Sequence, residues 1–267
     1  MKAHHLSPKT QMAVIVMLLL PFLASAQEIP YRTSFEAPVF TPGPLGAGKD
    51  GWVGEGAIQN ATPGAVRTGS QSLQVLETGV VSRSLTSPAG KEVTIDGYYR
   101  GPTVNSKPNP LDMDLGSSLL LFHGTDGILA LDGDGSGGGE WISTGVMVSN
   151  SSFQRITIRQ NYATHTWTLY IDGQQVPQGN PQTYGFKDNS INQLSGIDIE
   201  TSNQGKGYLD DFSATTSVPE FFAASLFDFS LEWQEETPMD LNWDLVPVEG
   251  RVDSKDLLEL LERILKG

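Results

Sequence analysis

The side chains in this sequence that could do chemistry are carboxylates, arginines and aromatic rings. Asp198 and Glu200 stand two apart in Gly196-Ile197-Asp198-Ile199-Glu200. Alternation on a strand puts both on one face, opposite Ile197 and Ile199. Glycoside hydrolysis needs two carboxyls flanking the scissile bond, so this pair has the residue types for it. In the stretch 155–176 (RITIRQNYATHTWTLYIDGQQV), Trp167, Leu169 and Ile171 alternate with Thr168 and Tyr170. If the apolar set faces a core, then Arg155, Thr157, Arg159 and Tyr170 face outward. An outward face with an aromatic ring, arginines and the carboxylates of Asp198 and Glu200 suits a sugar, whose ring stacks while polar groups read its hydroxyls. Trp52, the bulky anchor of the Gly/Pro-rich segment 38–56, is a rival platform. Asp132-Gly133-Asp134-Gly135 has the look of a calcium fragment, but Glu140 is too near to serve as its downstream acid, and the run reads as a hairpin tip.

Other chemistries are excluded by what is missing. The 267 residues contain no cysteine, so disulfides, thiolate catalysis and a Cys-ligated zinc are out. There is no Gly-x-Ser-x-Gly elbow. His4 and His5 precede an apolar run, leaving only His123 and His165 for the rest of the chain. That run, 12–23, follows Lys2 and Lys9 and is followed by Ala24-Ser25-Ala26, the pattern of a secretory leader cleaved after Ala26. Removing residues 1–26 leaves 15 basic against 31 acidic residues, moving the formal charge from −14 to −16. Such a chain repels nucleic acid and anionic membrane surfaces and accepts calcium and neutral sugars. No second apolar stretch is long enough to span a bilayer.

The elements that would position these residues are short strands. Alternation or apolar runs predict strands at 31–36, 70–77, 79–85, 92–99, 117–123, 127–132, 141–148, 155–159, 167–171, 195–201 and 207–215, with Asp172-Gly173 as a hairpin turn. Segments 38–56, 101–116 and 177–193 read as loops, and 132–139 (DGDGSGGG) as a flexible tip. About a dozen short strands at even spacing predict an all-β, antiparallel two-sheet sandwich over 27–216. The composition changes at 217–219. Beyond it, 220–234 places Phe221, Phe222, Leu226, Phe229 and Trp233 at helical spacing, and 253–265 carries Leu257, Leu260, Leu261 and Ile264 on one helical face. A small α-helical hairpin over 220–267 is the expectation.

Three patterns carry a family likeness: Ser34-Phe35-Glu36; Gly69-Ser70-Gln71-Ser72-Leu73 after Asp50-Gly51-Trp52; and Tyr208-Leu209-Asp210-Asp211-Phe212. With the hairpin at 167–176, residues 28–216 resemble the concanavalin A-like, laminin-G-like jelly-roll domains of secreted bacterial proteins. Similar opening and closing patterns occur in galactose-binding-like carbohydrate-binding modules. The resemblance implies a structural calcium held by Glu36 with Asp210 or Asp211. The strand 196–200 is also similar to the E-x-D-x-x-E strand of jelly-roll glucanases, but the first acid is missing, since Leu194 and Gly196 precede Asp198.

In the tail, Asp240-Leu241-Asn242-Trp243-Asp244 and Gly250-Arg251-Val252-Asp253-Ser254-Lys255-Asp256-Leu257 resemble one half of a dockerin. That resemblance implies calcium ligation by Asp240, Asn242, Asp244, Asp253 and Asp256, and a cohesin-like or surface partner. Residues 245–249 interrupt the loop, and the second half of the pair is missing. Together these features predict a secreted or cell-surface, non-catalytic module that binds a polysaccharide or glycoconjugate and attaches through its tail. The competing expectations are a structural or adhesive protein that binds another protein, and a divergent glycoside hydrolase or polysaccharide lyase.

Overall fold

The structure is a computed structural model. It describes residues 15–16, 26–46, 48–60, 62, 64–114, 116–177, 182–202 and 205–216. The chain divides into two units, Met1–Thr216 and Ser217–Gly267. The second unit, with the expected helical hairpin and its five candidate ligands, lies outside the described residues.

The strands in chain order are β1 (Ile15–Val16), β2 (Gln27–Glu28), β3 (Tyr31–Thr33), β4 (Gly43–Pro44), β5 (Trp52–Gly54), β6 (Gly56–Asn60), β7 (Gln71–Val75), β8 (Val80–Thr86) and β9 (Glu92–Arg100). After a 3-10 turn (Pro110–Asp112) come β10 (Leu119–His123), β11 (Gly127–Gly133), β12 (Gly139–Ser143), β13 (Gln154–Asn161), β14 (Thr166–Ile171), β15 (Gln174–Gln175), β16 (Tyr184–Gly185), β17 (Gly196–Glu200) and β18 (Gly207–Thr215). No α-helix occurs among the described residues.

One large sheet runs β15-β14-β13-β9-β18-β7-β6-β4, with β3 on β18 and β16 on β14. Two smaller sheets, β17-β8-β2 with β5 on β8, and β1-β10-β11-β12, make up the opposing layer. Every pair is antiparallel except β2 with β8. Successive strands cross between layers (β7 to β8, β8 to β9, β12 to β13, β17 to β18), which gives the jelly-roll sandwich the alternation predicts.

One core joins all three sheets. It takes Val93, Ile95, Ile156, Ile158, Trp167, Leu169 and Ile171 from the large sheet, and Leu120, Phe122, Ile128, Val81, Ile197 and Ile199 from the opposing layer. These are the inward positions of period-2 alternation. Trp52, Phe35, Phe40 and Phe212 close one end as edge-on rings, 5.2–5.5 Å between centroids. Truncating such a buried ring costs roughly 3–5 kcal/mol.

Each layer is also covered on its outside. Segment 101–116 lays Val104 and Met113 over Leu119, Leu121, Leu129, Leu131 and Trp141. Buried Lys187 holds its end by donating from Nζ to the Asp114 carbonyl at 2.8 Å. On the large sheet, Ser72 Oγ donates 2.6 Å to the Ala65 carbonyl, and Arg67 lies 3.3 Å over the Tyr98 ring. Both loops are therefore packed covers. The Asp132–Gly139 tip is ordered as well: Asp134 Oδ1 accepts from the Ser136 and Gly138 backbone N–H groups at 2.8 and 3.0 Å.

Candidate functional site

The concave polar feature of the described residues lies at the mouth of the aromatic cluster. Phe35 has φ +60°, and its backbone N–H donates to Thr33 Oγ1 at 3.0 Å. This sharp turn sends Phe35 into the core. Phe40 follows it inward, with its N–H on the Glu36 carbonyl at 3.1 Å. Ser34, Glu36 and Ala37 are left around a groove of about 510 Å³, with Gln27, Pro30, Tyr31, Arg32, Thr33, Val39, Phe40 and Asp50. That volume lies within the ~300–1,000 Å³ of small-molecule sites.

Beneath the groove is a fixed polar network. Tyr31 Oη donates to Asp50 Oδ2 at 2.7 Å and accepts from Trp52 Nε1 at 3.0 Å. Burial, and then the bond to Asp50, push the Tyr31 hydroxyl far above its ordinary pKa, so it stays a donor. Arg83 stacks 4.4 Å over the Tyr31 ring, places Nη2 3.9 Å from Asp50 Oδ2 and donates to Gln27 Oε1. Gly51 makes room for it: at φ +75°, an added Cβ would meet Arg83 Nη1 at 1.4 Å. Only glycine fits both the backbone and the guanidinium there.

Of the expected metal ligands, Glu36 accepts from Ser70 N–H (2.7 Å), Gln71 N–H (2.8 Å) and Ser70 Oγ (2.7 Å). Burial alone would raise its pKa, but these bonds bring it below the ordinary carboxylate value. Asp210 takes the backbone N–H groups of Arg67 (2.9 Å), Thr68 (3.3 Å) and Asp211 (2.9 Å). Burial and the neighbouring Asp211 charge hold Asp210 at about 6 against those bonds. Asp211 pairs with Arg67 at 2.6 Å and with Thr68 Oγ1. All three acids thus grip the loop 67–71. At Gly69, an added Cβ would meet Glu36 Oε1 at 2.4 Å. These N–H and O–H donors hold the carboxylates to the 67–71 loop. Among the described residues no group of three or more His, Asp or Glu could hold a metal.

The expected sugar-binding residues fall in three places. Trp52 is fully buried, so its ring cannot stack on a ligand; its Nε1 donates to Tyr31 Oη. Arg155, Arg159 and Tyr170 share the outer face of the large sheet, as alternation predicts. There Arg155 is spent on Asp96, with Nε–Oδ1 at 2.9 Å and Nη2–Oδ2 at 3.2 Å. Arg159 Nη1 reaches Tyr170 Oη at 3.4 Å. Asp198 and Glu200 also point outward, but from β17 in the opposing layer, on the other side of the sandwich. The single face of arginines, tyrosine and carboxylates does not form, because strand alternation gives the side of a sheet and says nothing of which sheet. Burial, followed by the Asp114 and Asp198 charges, raises Glu200 to about 7.

Sequence reasoning missed Gln27, Asp50 and Arg83. Their one signal was Gly51 beside Asp50, a pair that also marks an ordinary turn. The fold and groove together define an all-β jelly-roll sandwich domain with an open polar recess at its aromatic end.

No protein-family model matches the sequence, and no curated protein does. Solved structures with a similar arrangement include a sialidase, at TM-score 0.42 and 13% identity over 68% of this chain and 19% of that one. The binding domain of Paraclostridial Mosquitocidal Protein 1 gives 0.42 and 17% over 65% and 46%. The carbohydrate recognition domain of Emp47p gives 0.37 and 9% over 63% and 90%. This chain spans about a fifth of the sialidase and under half of the mosquitocidal binding domain. Similarity at this level carries no conclusion about ligand or activity. Among the described residues no helix is long and apolar enough to cross a membrane.

Proposed function

We propose that this chain is an exported, non-catalytic carbohydrate-binding module whose saccharide site is the groove between β3, the 34–40 turn and Asp50, with the tail serving for attachment. The observation that supports it most is the groove itself. It is a recess of about 510 Å³ with hydroxyls, a carboxamide, a guanidinium and two carboxylates on its walls. Val39 stands 62% exposed at its edge as an apolar contact for a sugar face. A sugar needs this mixture of many directed polar groups and one apolar surface. On the outer face of the large sheet, Arg155 is already satisfied by Asp96. A glycan-array screen of the full chain, with calcium and again with chelator, tests the reading. Selective binding that is lost in Asp50→Ala supports it. A blank array from folded protein removes it for the glycans presented.

A second reading, a divergent glycoside hydrolase, is favoured by Glu200 alone. A carboxyl held at about 7 beside Asp198 suits a general acid. Turnover of any polysaccharide that disappears in Glu200→Gln would establish it.

A further inference from the structure

Gln27 follows the Ala24-Ser25-Ala26 cleavage pattern directly, and it lines the groove. Its side-chain carbonyl oxygen accepts from Nη2 of Arg83, a side chain only 5% exposed. Arg83 Nε is buried without a partner, and the nearest carboxylate, Asp50, stands off at 3.9 Å. The Gln27 carboxamide is therefore the hydrogen-bond acceptor that Arg83 has among the described residues. β2 is fixed by pairing with Leu85 and Thr86, which keeps residue 27 in place.

Removal of residues 1–26 creates an α-ammonium on Gln27. That new cation lies within about one side-chain length, roughly 5 Å, of the carbonyl that Arg83 binds. An α-amine has an ordinary pKa of ~7.7–8.0, so part of it is neutral near pH ~8. The neutral amine is a nucleophile, and the adjacent carbonyl is polarised by a buried guanidinium.

We propose that residue 27 of the processed chain is a pyroglutamate. The α-amine nitrogen attacks Cδ of its own side chain. The bond from Cδ to the carboxamide nitrogen then breaks, and that nitrogen leaves as ammonia with the proton the amine gives up. Nothing is oxidised or reduced. Arg83 donates to the oxygen on which negative charge develops, the arrangement that lowers the barrier of such an addition. The lactam retains that oxygen, so Arg83 keeps its acceptor while losing a like-charged neighbour. The groove then has a neutral rim at residue 27, closed to aminopeptidases. The proposal rests on cleavage after Ala26 and is independent of what the groove binds.

The test is to secrete the full chain and take the mass of its N-terminal tryptic peptide, residues 27–32, with a synthetic peptide of the same sequence kept at the same pH and temperature. The expected result is a peptide starting at residue 27 and lighter than the glutamine form by one ammonia, with conversion at least about tenfold faster in the protein than in the peptide. A free Gln27 amine that persists, or conversion no faster than in the peptide, overturns the proposal. An N-terminus at any other residue overturns it too, and places the failure in the cleavage site.

Discussion

The Arg83–Asp50 pair under the groove and the Arg155–Asp96 pair on the large sheet use the same residue types and come out differently. Arg155 meets Asp96 through two bonds at 2.9 and 3.2 Å, and Thr157 Oγ1 donates to the same carboxylate. That cluster is closed. Arg83 stands 3.9 Å from Asp50, whose Oδ2 also takes the Tyr31 hydroxyl, and a recess opens beside them. On the flat face of the sheet, Arg155 and Thr157 on one strand satisfy Asp96 on the next. At the edge, where β3 ends in the Phe35 turn, Arg83 and Asp50 stand apart, with Asp50 on the groove wall and Arg83 buried beneath it. A candidate binding site here is thus a matter of curvature more than of residue type.

Substitutions separate the two clusters, and the largest effect belongs to Gly51→Ala. Its Cβ would collide with the Arg83 guanidinium at a positive φ, costing about 2–4 kcal/mol in denaturant melts. Gly173→Ala, with φ +77° and nothing within 4 Å of its Cβ, should cost only about 1 kcal/mol. Equal losses would mean that the guanidinium moves aside freely. Next comes Asp96→Ala, which strands Arg155 and Thr157 and should cost roughly 2–3 kcal/mol while leaving saccharide affinity unchanged. Asp50→Ala should do the reverse, costing about 1 kcal/mol of stability and abolishing binding. Loss of binding in the Asp96 variant would break the distinction drawn between the pairs.

Two smaller effects depend on pH. Glu200 has a pKa of about 7 against an ordinary 4.5. Between those values the folded chain holds a proton that the unfolded chain has released. Stability from this group therefore falls as pH rises from 4.5 to 7 and stays low above. Glu200→Gln should remove that fall and gain about 1–2 kcal/mol near pH ~8, after allowance for solvent screening. The part due to Asp210, raised to about 6, remains in the variant. Glu36 has the opposite sign: its lowered pKa gives stability that is present above 4.5 and lost as pH falls through the folded value. Glu36→Gln should shift Tm by only about 2 °C. Added calcium tests the same loop: with the Glu36 and Asp210 carboxylates held by N–H donors of 67–71, Tm should stay unmoved in wild type. A calcium-dependent rise would restore the ion to that loop.

The sandwich was legible wherever alternation was clean. Ile156 and Ile158 pair across the sheet with Ile171 and Leu169 as their spacing implies, and Asp172-Gly173 makes its turn with φ +50° and +77°. Strands β4 and β5 fall in the segment read as loop and β6 was left unassigned, because glycines at 43, 51, 54 and 56 interrupt any alternation around Trp52 and Ile58. Glu36, Asp210 and Asp211 were singled out as calcium ligands; their contacts with the 67–71 loop were not legible, because they depend on the pairing of distant strands. The groove was not legible. Gln27, Asp50 and Arg83 are far apart in sequence, and Arg83 takes an inward strand position that alternation reserves for an apolar residue. Only the β2–β8 and β5–β8 pairings bring the three together.

The most direct test of the groove follows the tryptophan indole N–H signals in a ¹H–¹⁵N spectrum while a bound saccharide is titrated. Trp52 Nε1 donates to Tyr31 beneath the groove, Trp141 Nε1 to the Pro108 carbonyl and Trp167 Nε1 to the Gly185 carbonyl. The Trp52 signal should move saturably, with those of Trp141 and Trp167 still, and should stay fixed in Asp50→Ala. Movement of the Trp141 or Trp167 signal with Trp52 unmoved would put the ligand on another face and contradict the account.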